Sequence, residues 1–215
     1  MSFTNKAYML YIHDYPYVLS DDWLRAIDKK GLTRKRKRRY WCGRGCGSLL
    51  TEHASEPVDI VFTGVPDTPI AAAPLATPIS VELYSKICEY LPQHMTGKCV
   101  FEDGEEMPGF LSMHTPSELC AQYVSTNGTP VWRCDGCGGI LIEHTNKAKY
   151  AFLISEKLKD YDCLQEGQNG SFLISERLAQ DIDFTMGDLE LHLEDVVFGD
   201  VSEYINTTAA DRLRY

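Results

Sequence analysis

Two short stretches of this chain are near copies of each other, and each is built around a pair of cysteines. Aligned without a gap, Tyr40–His53 (YWCGRGCGSLLTEH) and Val131–His144 (VWRCDGCGGILIEH) are identical at seven of fourteen positions: Trp41/Trp132, Gly45/Gly136, Cys46/Cys137, Gly47/Gly138, Leu50/Leu141, Glu52/Glu143 and His53/His144. Cysteine pairs that arise independently carry unrelated flanks, so shared flanks predict a shared local shape. That shape is a knuckle. Two thiolates sit on one tight turn, and glycine beside the second cysteine lets the backbone curl and present N–H groups to sulfur. Cys134-Asp135-Gly136-Cys137-Gly138 has the spacing C-x-x-C-G and runs into the apolar strand Ile140-Leu141-Ile142. Cys42 and Cys46 have three residues between them, inside the spacing of ligands that share one metal ion. Together the pairs predict a tetrahedral site of four thiolates, Cys42, Cys46, Cys134 and Cys137, around one structural zinc. Four thiolates leave no position open for water, so such a zinc staples the chain and does not catalyse.

A C-x-x-C pair also serves thioredoxin-type redox chemistry, but that chemistry places the pair at a helix N-terminus, and these pairs precede strand-like residues. His53 and His144 follow their cysteines at the same distance in both copies. They read as strand-end residues or as hydrogen-bonding support for the ligands, since the cysteines already complete the coordination. Cys88, Cys99, Cys120 and Cys163 are isolated and read as small thiols rather than ligands. The eight cysteines could make four disulfides in an exported protein. The opening MSFTNKAYMLYIHDYPY lacks a basic stretch followed by an apolar one, however, so a cytoplasmic, reducing location is expected and metal chemistry is favoured. No run approaches the length of a membrane span, and no membrane partner is expected.

Charge is distributed unevenly. Nine of the 21 basic residues fall between Lys29 and Arg44, where there is no acidic residue, which leaves 12 basic against 31 acidic residues elsewhere, a balance of −19. The chain is an acidic body with one basic collar. The run Arg34–Arg39 has the counterion-releasing character of a phosphate-backbone contact, or alternatively is a solvated linker or an internal partner for the acidic body.

Around the knuckles the pattern is mixed. Ala7–Ile12 reads as a first strand, and Ser20-Asp21-Asp22 caps a short helix carrying Trp23, Leu24 and Ile27 that Gly31 ends. Val58–Val65 is a strand candidate, followed by a loop through Pro66, Pro69, Pro74 and Pro78. Thr77-Pro78 supplies an N-cap and first-turn proline for a helix with Leu83, Ile87 and Leu91 on one face, ended by Pro92. Residues 97–115, punctuated by Gly97, Gly104, Pro108 and Gly109, read as irregular strands and turns. A second repeat follows: Phe152-Leu-Ile-Ser-Glu-Lys-Leu158 recurs as Phe172-Leu-Ile-Ser-Glu-Arg-Leu178, each predicting a strand that turns into a helix at a capping serine. Leu189–Phe198 alternates apolar and acidic residues and reads as a last strand with one wet, negative face. The fold expected is α+β, with mixed strands and short helices around a zinc-ribbon-like core built from the two cysteine knuckles. It forms a single domain over 1–215, with the ribbon from 38–53 and 130–144, an inserted α/β segment at 54–129 and a C-terminal α/β segment at 150–200.

The chain contains no phosphate-binding G-x-x-x-x-G-K-S/T loop, no G-x-S-x-G elbow and no H-E-x-x-H, and spacing nominates no nucleophile–base pair, so a non-enzymatic role is expected. The two C-x-x-C-G-type knuckles, the Pro57-Val58-Asp59-Ile60 patch and the late Phe172–Leu178 segment resemble the double-CxxCG-motif immunity proteins of bacterial polymorphic toxin systems, from about Tyr40 to Phe198. The extra residue between Cys42 and Cys46 departs from that pattern, as does the duplicated Phe152–Leu158. The resemblance implies a protein that neutralises a cognate toxin by direct binding, with Cys42, Cys46, Cys134 and Cys137 as zinc ligands. An acidic body suits a basic toxin as partner. The alternative is a zinc-ribbon regulator that binds nucleic acid through residues 34–39.

Overall fold

A computed structural model describes residues 2–11, 60–62, 64–71, 77–101, 103–126, 131–133, 140–142, 149–167, 171–182, 189–204 and 207–208. Among them strands dominate and helices are few and short, an α+β arrangement. The longest ladder pairs β1 (Lys6–Tyr11) antiparallel with β12 (Glu190–Phe198), from Lys6↔Asp195 to Tyr11↔Glu190. These two strands are the middle of a six-stranded sheet in the order β10-β11-β1-β12-β9-β6, completed by β10 (Cys163–Gln165), β11 (Phe172–Ile174), β9 (Tyr150–Ile154) and β6 (Gln122–Ser125). All its neighbours are antiparallel except β12 and β9, which run parallel. The strands predicted at Ala7–Ile12 and Leu189–Phe198 are therefore present and are partners.

The duplicated heptapeptide supplies two strands of this sheet. β1 is antiparallel to both β11 and β12, and β12 is parallel to β9, so β9 and β11 point the same way and end at the same sheet edge with two strands between them. Opposed residues in a ladder share a face. Ile174 and Phe172 stand opposite Tyr8 and Leu10 and join one apolar cluster, with Ile79, Leu83, Ile87, Met113 and Leu178. Phe152 stands opposite Val196 and joins the other, with Phe3, Ala7, Leu158, Leu164 and Leu173. The two copies thus bury their phenylalanine and isoleucine on opposite faces of one sheet. The connection 155–162 runs along the common edge from the end of β9 to the start of β10. On the way Lys159 and Asp160 accept hydrogen bonds from the Ser2 backbone N–H and hydroxyl, and Asp162 meets Ser175 at the end of β11.

A four-stranded sheet, β2-β4-β5-β3, covers part of the first face, built from β2 (Ile60–Phe62), β3 (Thr77–Ser80), β4 (Met95–Phe101) and β5 (Glu106–His114). Ile79 and Met113 from this sheet pack with Leu83 and Ile87 of helix α1 (Val81–Ile87) against Leu10, Phe172 and Ile174. A smaller cluster of Phe62, Ala71, Cys99 and Met107 lies elsewhere in this sheet. Burying Leu83 or Ile87 fully is worth about 2 kcal/mol each, which is how α1, too short to persist alone, is held. A third sheet orders β13-β7-β8, from β13 (Thr207–Thr208), β7 (Val131–Arg133) and β8 (Ile140–Ile142).

Two expectations need correction and a third needs refinement. The helix after the proline-rich loop starts three residues later than the Thr77-Pro78 cap implies: Thr77 and Pro78 are strand residues paired with Met113 and Ser112, and Ser80 is the cap, its hydroxyl accepting from Leu83 N–H at 3.2 Å. Sheet pairing outweighed the local signal, although Leu83, Ile87 and Leu91 are buried on one face as the spacing requires. Between 97 and 115 the expected irregular strands and turns are present, but as one hairpin, β4 with β5, rather than as short pieces. Its breakers are absorbed by a shift in register between Lys98 and Val100, which leaves Pro108 and Gly109, the latter at φ +80°, in a bulge, while Gly104 at φ +91° makes the turn. On β12 the polarity is not segregated: Leu191 and Leu193 are 37% and 54% exposed, whereas Glu194 is half-buried.

Candidate metal centre

The second knuckle is framed by a strand pair. β7 and β8, which lie on either side of the Cys134/Cys137 segment in sequence, are antiparallel with Val131↔Ile142, Trp132↔Leu141 and Arg133↔Ile140 in register. The strand predicted at Ile140–Ile142 is β8. On its other side β7 pairs in parallel with β13, Thr207↔Trp132 and Thr208↔Arg133. Cys42, Cys46, Cys134, Cys137, His53, His144, the run Lys29–Arg44 and the predicted Trp23–Ile27 helix lie outside the described residues.

Among the described residues no group of three or more His, Cys, Asp or Glu side chains is arranged to hold a metal ion. The four isolated cysteines are all free thiols. Cys99, Cys120 and Cys163 are buried and Cys88 is half-buried, as expected of small apolar side chains. Burial pushes the Cys120 thiol far up, helped by the carboxylates of Glu166 and Glu118, and its Sγ–H faces the Thr115 and Pro116 carbonyls. Burial likewise pushes the Cys163 thiol far up, with Asp162 adding to it. A metal ligand or nucleophile must be a thiolate, so neither group suits those roles.

Two polar devices were not legible in the sequence. Asp162, buried in the edge connection, accepts from the Ser175 hydroxyl at 2.5 Å and from the Arg177 guanidinium, and its carbonyl accepts from Ser175 N–H at 2.8 Å. Ser175 in turn accepts from Leu178 N–H at 3.1 Å, capping helix α2 (Glu176–Asp181). Gln165 bridges the two large sheets: its amide donates to the Thr77 hydroxyl at 2.6 Å and accepts from Thr115 N–H at 3.0 Å. Each pairs residues far apart in the chain, so no local pattern announces it. Elsewhere, Tyr123 stacks on Tyr150 and tilts against Phe152, and burial, with Glu194, Tyr150 and Glu166 nearby, raises its phenol.

No family model matches the chain, and comparisons with curated proteins and with solved structures return no significant match. Among the described residues no helix is long and apolar enough to cross a membrane.

Proposed function

We propose that this chain is a zinc-stapled immunity protein that acts in the cytoplasm and neutralises a cognate, basic protein toxin by binding it directly. The observation that carries the reading is the duplicated knuckle, Cys42/Cys46 and Cys134/Cys137 in matching flanks, together with its resemblance to the double-CxxCG immunity proteins. The antiparallel strands β7 and β8, which flank the Cys134/Cys137 segment in sequence, suit this reading. The balance of −19 outside the basic collar suits fast, steered association with a cationic partner. Within this reading the zinc does no chemistry. It would be held by the four thiolates and would join stretches of chain that no described ladder joins.

Two measurements decide the matter. Elemental assay of the purified chain is expected to return one zinc per chain, and chelation is expected to lower the melting temperature sharply, because binding energy at a structural zinc is folding energy. A metal-free preparation that melts identically with and without EDTA would end the zinc reading. Co-expression with the product of the neighbouring gene is expected to rescue cells from it, and a harmless neighbour would end the immunity reading. The basic run, with nine cationic residues and no acidic one from Lys29 to Arg44, favours a second reading as a nucleic-acid-binding zinc ribbon. That reading requires salt-sensitive gel shifts that vanish when Arg34–Arg39 are neutralised.

A further inference from the structure

We propose that the six-stranded sheet closes into a barrel and that one end of it binds an organic cation, a guanidinium or substituted ammonium group, between the stacked pair Tyr123 and Tyr150 and the carboxylates of Glu166 and Glu194. The inference uses none of the residues of the zinc reading and stands apart from it. Closure is read from the two outer strands. Ala121, just ahead of β6, forms a parallel bridge with Glu166, just past β10: the Ala121 N–H donates to the Gln165 carbonyl at 2.9 Å, and the Ala121 carbonyl accepts from Gly167 N–H at 3.1 Å. A sheet whose two edges bond to each other is a barrel, with one face turned inward. The inward face carries Ala7, Phe152, Leu164, Leu173 and Val196, since these come from β1, β9, β10, β11 and β12 and meet in one cluster with Tyr123 of β6.

Beyond that apolar plug the inward face turns polar. Side chains alternate along a strand, so Tyr150 shares the face of Phe152, Glu194 that of Val196 and Glu166 that of Leu164. They converge on Tyr123. Its ring stacks on Tyr150 with centroids 5.0 Å apart and planes at 21°. Glu194 reaches it from beyond β9 and Glu166 from across the closure, and burial, then Glu194, Tyr150 and Glu166, hold its phenol above the ordinary value. The charges acting on Tyr123 are thus all negative. Lys6, which acts on Glu194, is bonded to Asp195 on the outer face. Glu166 is 3% exposed; Glu194 is half-buried and its carboxylate makes no hydrogen bond among the described residues. Drawing a carboxylate out of water without a cation beside it destabilises a fold, and such a cost persists where a ligand offsets it. Tyrosine faces attract a flat or alkylated cation. A bare metal ion suits the place less well, because among the described residues no three acidic, His or Cys side chains converge to hold one.

The test titrates butylguanidinium into the full chain by calorimetry, with butylurea, neutral and alike in shape, as its control. Saturable binding of butylguanidinium is expected, and none of butylurea at the same concentrations. Glu194→Gln and Tyr123→Leu are each expected to weaken binding about tenfold. Tyr123→Phe, which keeps the ring, and Asp195→Asn, which removes the same charge from the outer face, are expected to leave it near the starting value. Should Tyr123→Leu fail to fold, Glu194→Gln, with a melting transition that stays cooperative, still decides. A short peptide with an exposed arginine enters the same site if the cation is the side chain of a partner and is excluded if it is a free amine; either result, beside saturable butylguanidinium binding, supports the site and names its source. Butylguanidinium binding that never saturates, that survives Glu194→Gln unchanged, or that yields to equimolar calcium would overturn the proposal.

Discussion

Phe152–Leu158 and Phe172–Leu178 differ at one residue, Lys157 against Arg177, and yet they do not make the same structure. Both begin as a buried strand and leave it through a serine in nearly the same conformation, φ −65° and ψ 148° at Ser155, φ −66° and ψ 158° at Ser175. Beyond the serine they part. The first copy makes a single 3-10 turn, Glu156–Leu158, and the second makes α2. Ser175 donates its hydroxyl hydrogen bond to Asp162 and accepts one from Leu178 N–H, whereas the hydroxyl of Ser155 is buried without a partner. The heptapeptide sets the exit from the strand. What lies across from it decides whether a helix continues.

Asp162→Ala is expected to have the largest effect on this contrast. It strips the buried Ser175 hydroxyl of its acceptor and the backbone of a fixed neighbour, at a cost of about 3 kcal/mol in denaturant melts. Little of this comes from Arg177, whose side chain is 59% exposed. Exchange protection of the α2 amides should fall while that of β9 holds; equal losses in both would show that Asp162 does not distinguish the copies. Next comes the same substitution made twice. Ser175→Ala should cost about 1–2 kcal/mol as a lost cap, while Ser155→Ala should be neutral or slightly stabilising, because it removes a buried hydroxyl that bonds to nothing. Matching costs at the two serines would erase the distinction. The smallest effect tests the two faces. Glu194 shares the face of the first copy, opposite Ala7, and its carboxyl is raised by burial, with Asp195 adding and His192 and Lys6 opposing. A carboxyl raised in the folded state contributes stability that is present below its unfolded pKa and lost as pH rises through the folded one. Glu194→Gln should therefore raise the melting temperature at neutral pH and give no gain in acid, and a gain independent of pH would contradict the burial argument.

How much of this was legible in the sequence follows the range of the forces involved. Strand periodicity marked β1, β2 and β12, and the Ser-Glu signature marked both strand exits, because those signals act within a few residues. Ile140–Ile142 was marked in the same way. The irregular strands and turns of β4 and β5 were legible, but not their joining into one hairpin, because the glycines and proline read as breakers when a bulge houses Pro108 and Gly109. The start of α1 was misplaced because Thr77-Pro78 mimics a helix opening, and only β5, across the sheet, claims those residues for a strand. The edge connection with Asp162 and the Gln165 bridge depend on tertiary neighbours altogether. Beside the candidate metal centre, β8 was legible from the apolar triplet after Cys137, while β7 and its pairing with β13 were not, since Val131–Arg133 and Thr207-Thr208 are too short to carry a pattern.

The place of β1 in the large sheet has a consequence for biosynthesis. Its flanking partners, β11 and β12, are encoded near the opposite end of the chain. β1 therefore cannot join the large sheet until β11, which begins at Phe172, has been made, and Leu10, later among the most deeply buried side chains, is uncovered by that sheet until then. A nascent chain stalled before Glu190 would leave one hydrogen-bonding edge of β1 open, which makes synthesis of β12 the step that closes the middle of this sheet.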